Sequence, residues 1–223
     1  MPHTVNGIGT ALVTVSGSQD VNGNQQHDAM EAVVVVYIPL IPYKFCHVLA
    51  SQPAGMGSSY QSLPLRWTLR LFLKGMMNGW SNMLMLMGGL FTAIFGYSSL
   101  TMERPFNNTD ATFLTVCVSM LILGIACKAI WYILDRRDMR IREILGPHQL
   151  GSSDPFDWPD DVADSMADAI LEQFGGRSLT DLAERVMSED NDELAMMCVR
   201  LAQRDSNEAH AASALFDELM RTA

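Results

Sequence analysis

Two uncharged or nearly uncharged apolar stretches constrain this chain most. Residues 82–100 read "NMLMLMGGLFTAIFGYSSL", and residues 112–134 read "TFLTVCVSMLILGIACKAIWYIL", with Lys128 the one charge. Each meets the requirement of about 20 predominantly apolar residues for a helix that crosses a bilayer. The link between them, residues 101–111, is short, polar and broken by Pro105, so the spacing predicts an antiparallel transmembrane hairpin. Lys and Arg near the ends set its orientation. Arg66, Arg70 and Lys74 precede the first span, Arg136, Arg137, Arg140 and Arg142 follow the second, and the link holds only Arg104. Both termini are therefore expected on the cytoplasmic side.

The rest of the chain must be polar enough to balance those stretches, because hydrophobic residues make up only 48% of the whole. Charge is unevenly divided. Residues 1–150 carry ten Lys/Arg against eight Asp/Glu, and residues 151–223 carry five against seventeen. An acidic C-terminal part repels nucleic acid and anionic lipid, so nucleic acid is not an expected partner. The first ten residues, "MPHTVNGIGT", show neither the basic nor the apolar region of a cleavable signal peptide.

Residues 32–45, "AVVVVYIPLIPYKF", are oily but do not suit a third span. Pro39 and Pro42 would each cost a helix interior about 3 kcal/mol, and four valines favour a strand. Upstream, "GIGTALVTVS" is strand-like and "GSQDVNGNQQHD" is a polar turn region; downstream, "YKFCHVLA" reads as a further short strand. Residues 1–50 are thus expected to form a small β-rich cytoplasmic segment, with the valine strand ending at a proline-shaped corner.

The "GIGT" start, the turn with Asp20 and Gly23, and "VVVVYIPLIPYKFCHVL" together resemble an N-terminal segment of uncharacterised bacterial membrane proteins. Members read G-x-G-T, a turn, then a hydrophobic strand with two prolines, followed by transmembrane helices. Some resemble zinc-ribbon proteins at the extreme N-terminus, but no cysteine precedes Cys46 in this chain, so that ribbon is absent. The resemblance covers about residues 6–50. It implies a sheet before membrane helices, in a bacterial inner or plasma membrane, and no defined activity.

Residues 60–79 form an expected interfacial amphipathic helix. Arg66, Arg70 and Lys74 recur every four residues on one face, with leucines, Trp67 and Phe72 around the remainder. Trp80 stands where an interfacial aromatic anchor belongs. The other reading is a helix continuing upright into the first span with its cations snorkelling; Gly75, Asn78 and Gly79 favour a bend. Arg66, Arg70, Lys74, Trp80, Arg136 and Arg137 are accordingly the candidate membrane-interface residues.

After a linker at residues 135–157, residues 158–223 should form an acidic helical domain of four short helices. Residues 160–174 place Val162, Met166, Ile170 (or Ala169) and Phe174 on one face. Ser178 caps "LTDLAERVM", Asn191 or Asp190 starts "DELAMMCVRLAQ", and Ser206 starts "NEAHAASALFDELMRT". The fold class expected is a membrane protein, α with a small β part: a short N-terminal sheet, a two-helix hairpin and a C-terminal helical bundle.

A search for chemistry returns little. "NGIGT" and "GMGSS" lack the lysine and flanking elements of a phosphate loop. "HDAME" at residues 27–31 sits at a hairpin end, and "SEDNDE" at residues 188–193 lacks the glycine of a calcium loop. Cys46, Cys117, Cys127 and Cys198 are scattered singly, as buried apolar residues are. No catalytic, cofactor or metal residue is assigned, and no cofactor is expected. Candidate helix-contact residues are Gly88, Thr92 and Gly96, spaced by four, and Lys128. The small residues could serve either a second copy or the chain's own second helix. Lys128 could snorkel, line an ion or proton pathway, or meet a partner. The function expected is a non-enzymatic, membrane-anchored interaction or scaffold protein, its partners the lipid bilayer and another protein or a second copy. The alternative is an accessory subunit of a membrane transporter or channel.

Overall fold

The computed structural model describes residues 4–5, 8–35, 38–54, 57–101, 108–148 and 150–222. Arg104 and Pro105, noted above, and Gly7, the first residue of the "GIGT" start, lie outside the described residues. The molecule is mixed α/β, with an N-terminal antiparallel sheet followed by helices. The strands are β1 (Thr4–Val5), β2 (Ile8–Thr14), β3 (Gln19–Val21), β4 (Asn24–Val35), β5 (Ile38–Ala54) and β6 (Gly57–Leu65). Their order is β1-β2-β4-β5-β6, with β3 paired to β4. Helices α1 (Leu69–Thr101) and α2 (Asn108–Leu145) come next. A single 3-10 turn, Pro155–Asp157, then precedes α3 (Asp160–Phe174), α4 (Leu179–Met187), α5 (Asp192–Ala202) and α6 (Ala209–Thr222).

Two compact units divide the chain. The first comprises Met1–Val15, Met30–Tyr43 and Arg70–Asp135; the second comprises Ser16–Ala29, Lys44–Leu69 and Arg136–Ala223. Strands β4 and β5 and helix α2 contribute to both, so the units are discontinuous where the sequence suggested consecutive blocks. The expected 1–50 segment is longer, too, since strand structure continues to Leu65.

Among the described residues one helix, α2, is long and apolar enough to cross a membrane, and only 11% of its apolar window is buried in the molecule. Helix α1 is not among the candidate spans found in the described residues. The separate interfacial helix at residues 60–79 is not formed: residues up to Leu65 belong to β6, and α1 runs without a break from Leu69 through Gly75, Asn78 and Gly79. The two glycines are contact points within this continuous helix. A Cβ at Gly79 would lie 2.5 Å from the Pro39 ring, and one at Gly75 would lie 2.5 Å from Met30 Sδ.

Within the first unit α1 and α2 pack antiparallel. A Cβ at Gly88 would lie 2.7 Å from the Leu121 nitrogen and 2.9 Å from the Cys117 carbonyl oxygen. Gly124 repeats this from the other side, against Leu84 and Met85. Phe95 and Phe113 close the distal end with ring centroids 4.5 Å apart. Small residues here allow backbones to approach where a larger side chain would hold them apart. Val15, Met30, Ala32 and Val34 from the strands and Leu71 from α1 are buried in this unit.

The second unit holds the β5–β6 ladder, from Phe45↔Leu65 to Ala54↔Gly57, and the four short helices. Residues 135–145 continue α2, so the expected linker is half helix. Its remainder is a tethered turn. Asp154 caps the 3-10 turn through Phe156 N–H, and Arg200 donates to both Asp154 oxygens at 2.9 and 2.6 Å. Arg204 donates to the carbonyls of Pro155, Phe156 and Trp158. Arg200 in α5 and Arg204 just after it thus tie down, through the Asp154 side chain and three backbone carbonyls, a proline-containing segment that reads as a breaker. Ser178 and Asn191 cap α4 and α5 as their side chains predict. Phe174 departs from its expected core position: it is 43% exposed, while Ala163 and Ile170 carry the buried face of α3. Helix α6 begins at Ala209, later than Ser206 suggested.

The glycine contacts give a direct comparison. Gly124→Leu should cost about 3 kcal/mol or more, because the obstacle includes rigid backbone. Gly89→Leu, where nothing lies within 4 Å of an added Cβ, should shift stability by less than about 0.5 kcal/mol. Unfolding in detergent micelles, followed by circular dichroism, measures both; equal effects would show that the helices do not meet at Gly124.

Candidate functional site

Several polar residues of the first unit converge in a seam between α1 and α2. Lys74 is fully buried, and its Nζ donates to Asp135 Oδ1 at 2.9 Å. Roughly one turn further along α1, Lys128 of α2 donates to Asn78 Oδ1 at 2.5 Å and to Asn82 Oδ1 at 3.2 Å, with its Nζ 4.2 Å from the Trp131 ring centroid. Asn78 donates in turn to the Thr14 carbonyl, and Trp131 Nε1 donates to the Val15 carbonyl. The end of β2 is thereby tied to both helices. Each of these donors would be costly to bury alone, and together they are satisfied.

This seam changes the part assigned to several residues. Lys74 does not face lipid headgroups; it is neutralised inside the molecule by Asp135. Arg142, counted among the cations after the second span, is also buried and paired, with Asp28. Arg66 is exposed and lies 3.4 Å from Asp160. Arg70 is half-buried, Arg136 is exposed, and the exposed Arg137 sits 5.1 Å from the Phe216 ring. Trp80 is partly exposed, and its Nε1 donates to the Pro39 carbonyl at 3.1 Å. Of the candidate helix contacts, Gly88 and Lys128 meet the partner helix of their own chain. Thr92 Oγ1 is buried without a hydrogen-bond partner among the described residues, and Gly96 faces open space.

Asp135, Asn78, Asn82 and Gly124 are the members that the sequence reading missed. A signal for them existed. In an antiparallel pair, residues equidistant from the connecting loop meet, and Lys74–Asp135, Met85–Gly124 and Gly88–Leu121 are all centred between residues 104 and 105. Reflecting Lys74 through that point lands on Asp135.

A second polar cluster lies in the second unit. His47 Nδ1 is 2.8 Å from Asp28 Oδ1, and the other Asp28 oxygen accepts from Arg142 Nη2. Arg142 Nη1 donates to Ser16 Oγ at 3.1 Å, which also accepts from the Asp28 N–H at 2.8 Å. Gln26 Oε1 lies 3.5 Å from His47 Nε2 and accepts from the Ser152 N–H at 2.9 Å. A serine, a histidine and an aspartate in one place raise the question of nucleophilic catalysis. The geometry gives Ser16 to Arg142 and not to His47, and all of these side chains are closed to solvent. This is a buried ion-pair network.

His148 lines a surface groove of about 350 Å³ with Met166, Ile170, Phe174, Leu194 and Met197. Its ring nitrogens are committed elsewhere: Nδ1 accepts from the Leu150 N–H, which leaves Nε2 to donate to the Ser153 carbonyl at 2.9 Å. Burial lowers the pKa of His148, and the Ser153 carbonyl opposes that only in part, so the neutral ring is favoured. Burial likewise lowers His27 and pushes the Cys198 thiol up to about 12, which keeps that cysteine unreactive. Among the described residues no group of three or more His, Cys, Asp or Glu side chains is placed to hold a metal ion. A further groove, of about 620 Å³, lies between α4 and α6 and is lined by Glu184, Asp190, Asp192 and Glu218 with Met187 and Leu215. Comparison of the chain with family models, curated proteins and solved structures finds no match.

The Asp28 network can be tested by unpairing it. Asp28→Leu leaves the Arg142 guanidinium buried without its carboxylate and should destabilise the protein by about 3–5 kcal/mol, whereas Asp28→Leu with Arg142→Met should recover most of that loss. Denaturant unfolding of the detergent-solubilised chain reads both. A double variant no more stable than the single would show that the pair is not what holds this cluster.

Proposed function

We propose that this protein is a membrane-anchored, non-enzymatic interaction protein that presents its acidic helical part to another protein or to a second copy. The observation that carries the reading is the acidic groove between α4 and α6, in which Glu184, Asp190, Asp192 and Glu218 surround a partly apolar floor. Carboxylates around apolar surface suit a basic, amphipathic segment, since opposite charges steer encounter and the apolar floor supplies burial. The sharp charge imbalance of residues 151–223 supports the same choice.

The anchor in this reading is the α1–α2 pair acting as a transmembrane hairpin, with both termini cytoplasmic. Its support is the run of exposed apolar side chains on both helices: Leu86, Leu90 and Ile94 on α1, and Phe113, Ile122, Ile125 and Ile133 on α2. Uncovered apolar surface of this extent is unsuited to water and suited to lipid. The bacterial membrane rests on the resemblance of residues 6–50 and belongs to the proposal.

The accessory-subunit alternative retains one observation in its favour. Gly89 and Gly96 have nothing within 4 Å of an added Cβ and remain free to meet another helix, whereas Lys128, its main motive, is engaged within the chain.

Gentle detergent extraction from native membranes, with size analysis and mass spectrometry, tests the leading reading on the wild type and on Glu184→Lys/Glu218→Lys. Wild type should retain a discrete protein partner or a second copy, and the variant should lose it on the order of tenfold. A complex unchanged by the charge reversal, or a lone monomer in both, would contradict the acidic groove as the interface.

A further inference from the structure

The ends of β4 and β5, which flank residues 36–37, carry apolar side chains that the first unit leaves uncovered. Along β4 the alternation is regular: Met30, Ala32 and Val34 are buried, while Val33 and Val35 are each 36% exposed. On β5, Leu40, Ile41 and Tyr43 are 45%, 63% and 52% exposed. The outer face of a strand in water is ordinarily polar, so this run of five needs an occupant.

Contacts within the same unit fix where these strand ends lie along the helix pair. The exposed apolar run on α2 extends from Phe113 to Leu134, about 32 Å at the helical rise, which matches the hydrocarbon thickness of a bilayer. Asp135 follows it directly and pairs with Lys74, so this ion pair marks the boundary on α1 as well. Trp80 stands six residues beyond Lys74, about 9 Å deeper. It is at this level that the Pro39 carbonyl accepts from Trp80 Nε1 and the Pro39 ring packs on Gly79. Pro39, and with it Leu40 and Ile41, therefore lies past the charged boundary.

We propose that the ends of β4 and β5 form a membrane-dipping wedge, with Val33, Val35, Leu40, Ile41 and Tyr43 seated in the lipid leaflet on the side of Lys74 and Asp135. The proposal rests on the reading of α1 and α2 as embedded in a bilayer, and its depth of about 9 Å is that of interfacial elements, not of a span. Backbone in lipid must be satisfied internally, and two features of the segment reduce what has to be satisfied. In the sheet order β2 lies beside β4 and β6 beside β5, with the β5–β6 pairing starting at Phe45, beyond residues 38–43. Pro39 and Pro42 bring no N–H to satisfy, and Trp80 takes the Pro39 carbonyl. The wedge is also continuous with the lipid-facing side of α1 through the partly exposed Trp80, an aromatic of the type that anchors at membrane interfaces. The "IPLIP" segment thus has a physical use: an oily strand end in which two of five residues bring no donor.

The test is power-saturation electron paramagnetic resonance on the full chain in vesicles of phosphatidylcholine and phosphatidylglycerol. Nitroxide labels go on Ile41→Cys, Val35→Cys, Ile122→Cys and Asn24→Cys, one at a time, with the four native cysteines replaced by alanine. Labels at 41 and 35 should collide more with oxygen than with a water-soluble nickel chelate, as the label at 122 on α2 should, and opposite to the exposed label at 24. If 122 reports lipid while 41 and 35 match 24, the wedge is overturned and the embedded helix pair stands. If 122 also reports water, the membrane reading of the helices fails and the wedge with it. Leu40→Cys supplies a further site should Ile41→Cys fail to reconstitute.

Discussion

The ion pair between Lys74 and Asp135 is the constraint on which the first unit depends. Both groups are nearly closed to solvent, so neither can be charged there without the other. Once they meet, two helices of 33 and 38 residues have one register, and every other contact along them follows from it. Gly88 reaches the Cys117–Leu121 backbone, Gly124 reaches Met85, and Lys128 finds Asn78 and Asn82. Apolar packing alone would leave that register poorly specified, because methionine and leucine faces slide past each other at small cost; buried polar partners do not.

The same logic recurs in the second unit with different residues. Asp28 joins His47 and Arg142, and Asp154 joins Arg200. Each pair links segments far apart in sequence, and each leaves its members unavailable for chemistry at the surface. Among what is presented outward are apolar side chains on α1, α2 and the strand ends, and carboxylates around the α4–α6 groove. The reading of the protein as an anchored interaction module draws on that division of the surface.

Local features were legible in the sequence because their causes are local. Ser178 and Asn191 cap helices through their own side chains, and the valine run is a strand because β-branched residues suit one. The apolar stretches 82–100 and 112–134 announced long helices. What failed to show was whatever depended on a distant partner. The i, i+4 spacing of Arg66, Arg70 and Lys74 is equally a lipid-facing stripe or a buried one, and Asp135, 61 positions away, decides for Lys74. The proline-rich turn before α3 looked like a linker until Arg200 and Arg204 supplied its hydrogen bonds. Gly75 and Gly79 suggested a bend because the strand residues packed on them, Met30 and Pro39, are some 40 positions earlier.

The most direct test of this account is a double-mutant cycle on Lys74 and Asp135, using Lys74→Met, Asp135→Leu and the double variant, with reversible unfolding in mixed micelles as the readout. Either single change strands a buried charge, so each should cost about 3–5 kcal/mol, and the double should recover enough to give a coupling of about 3 kcal/mol. Single costs that add to within about 0.5 kcal/mol would mean the two residues act independently, and the register of the helix pair would then need another cause.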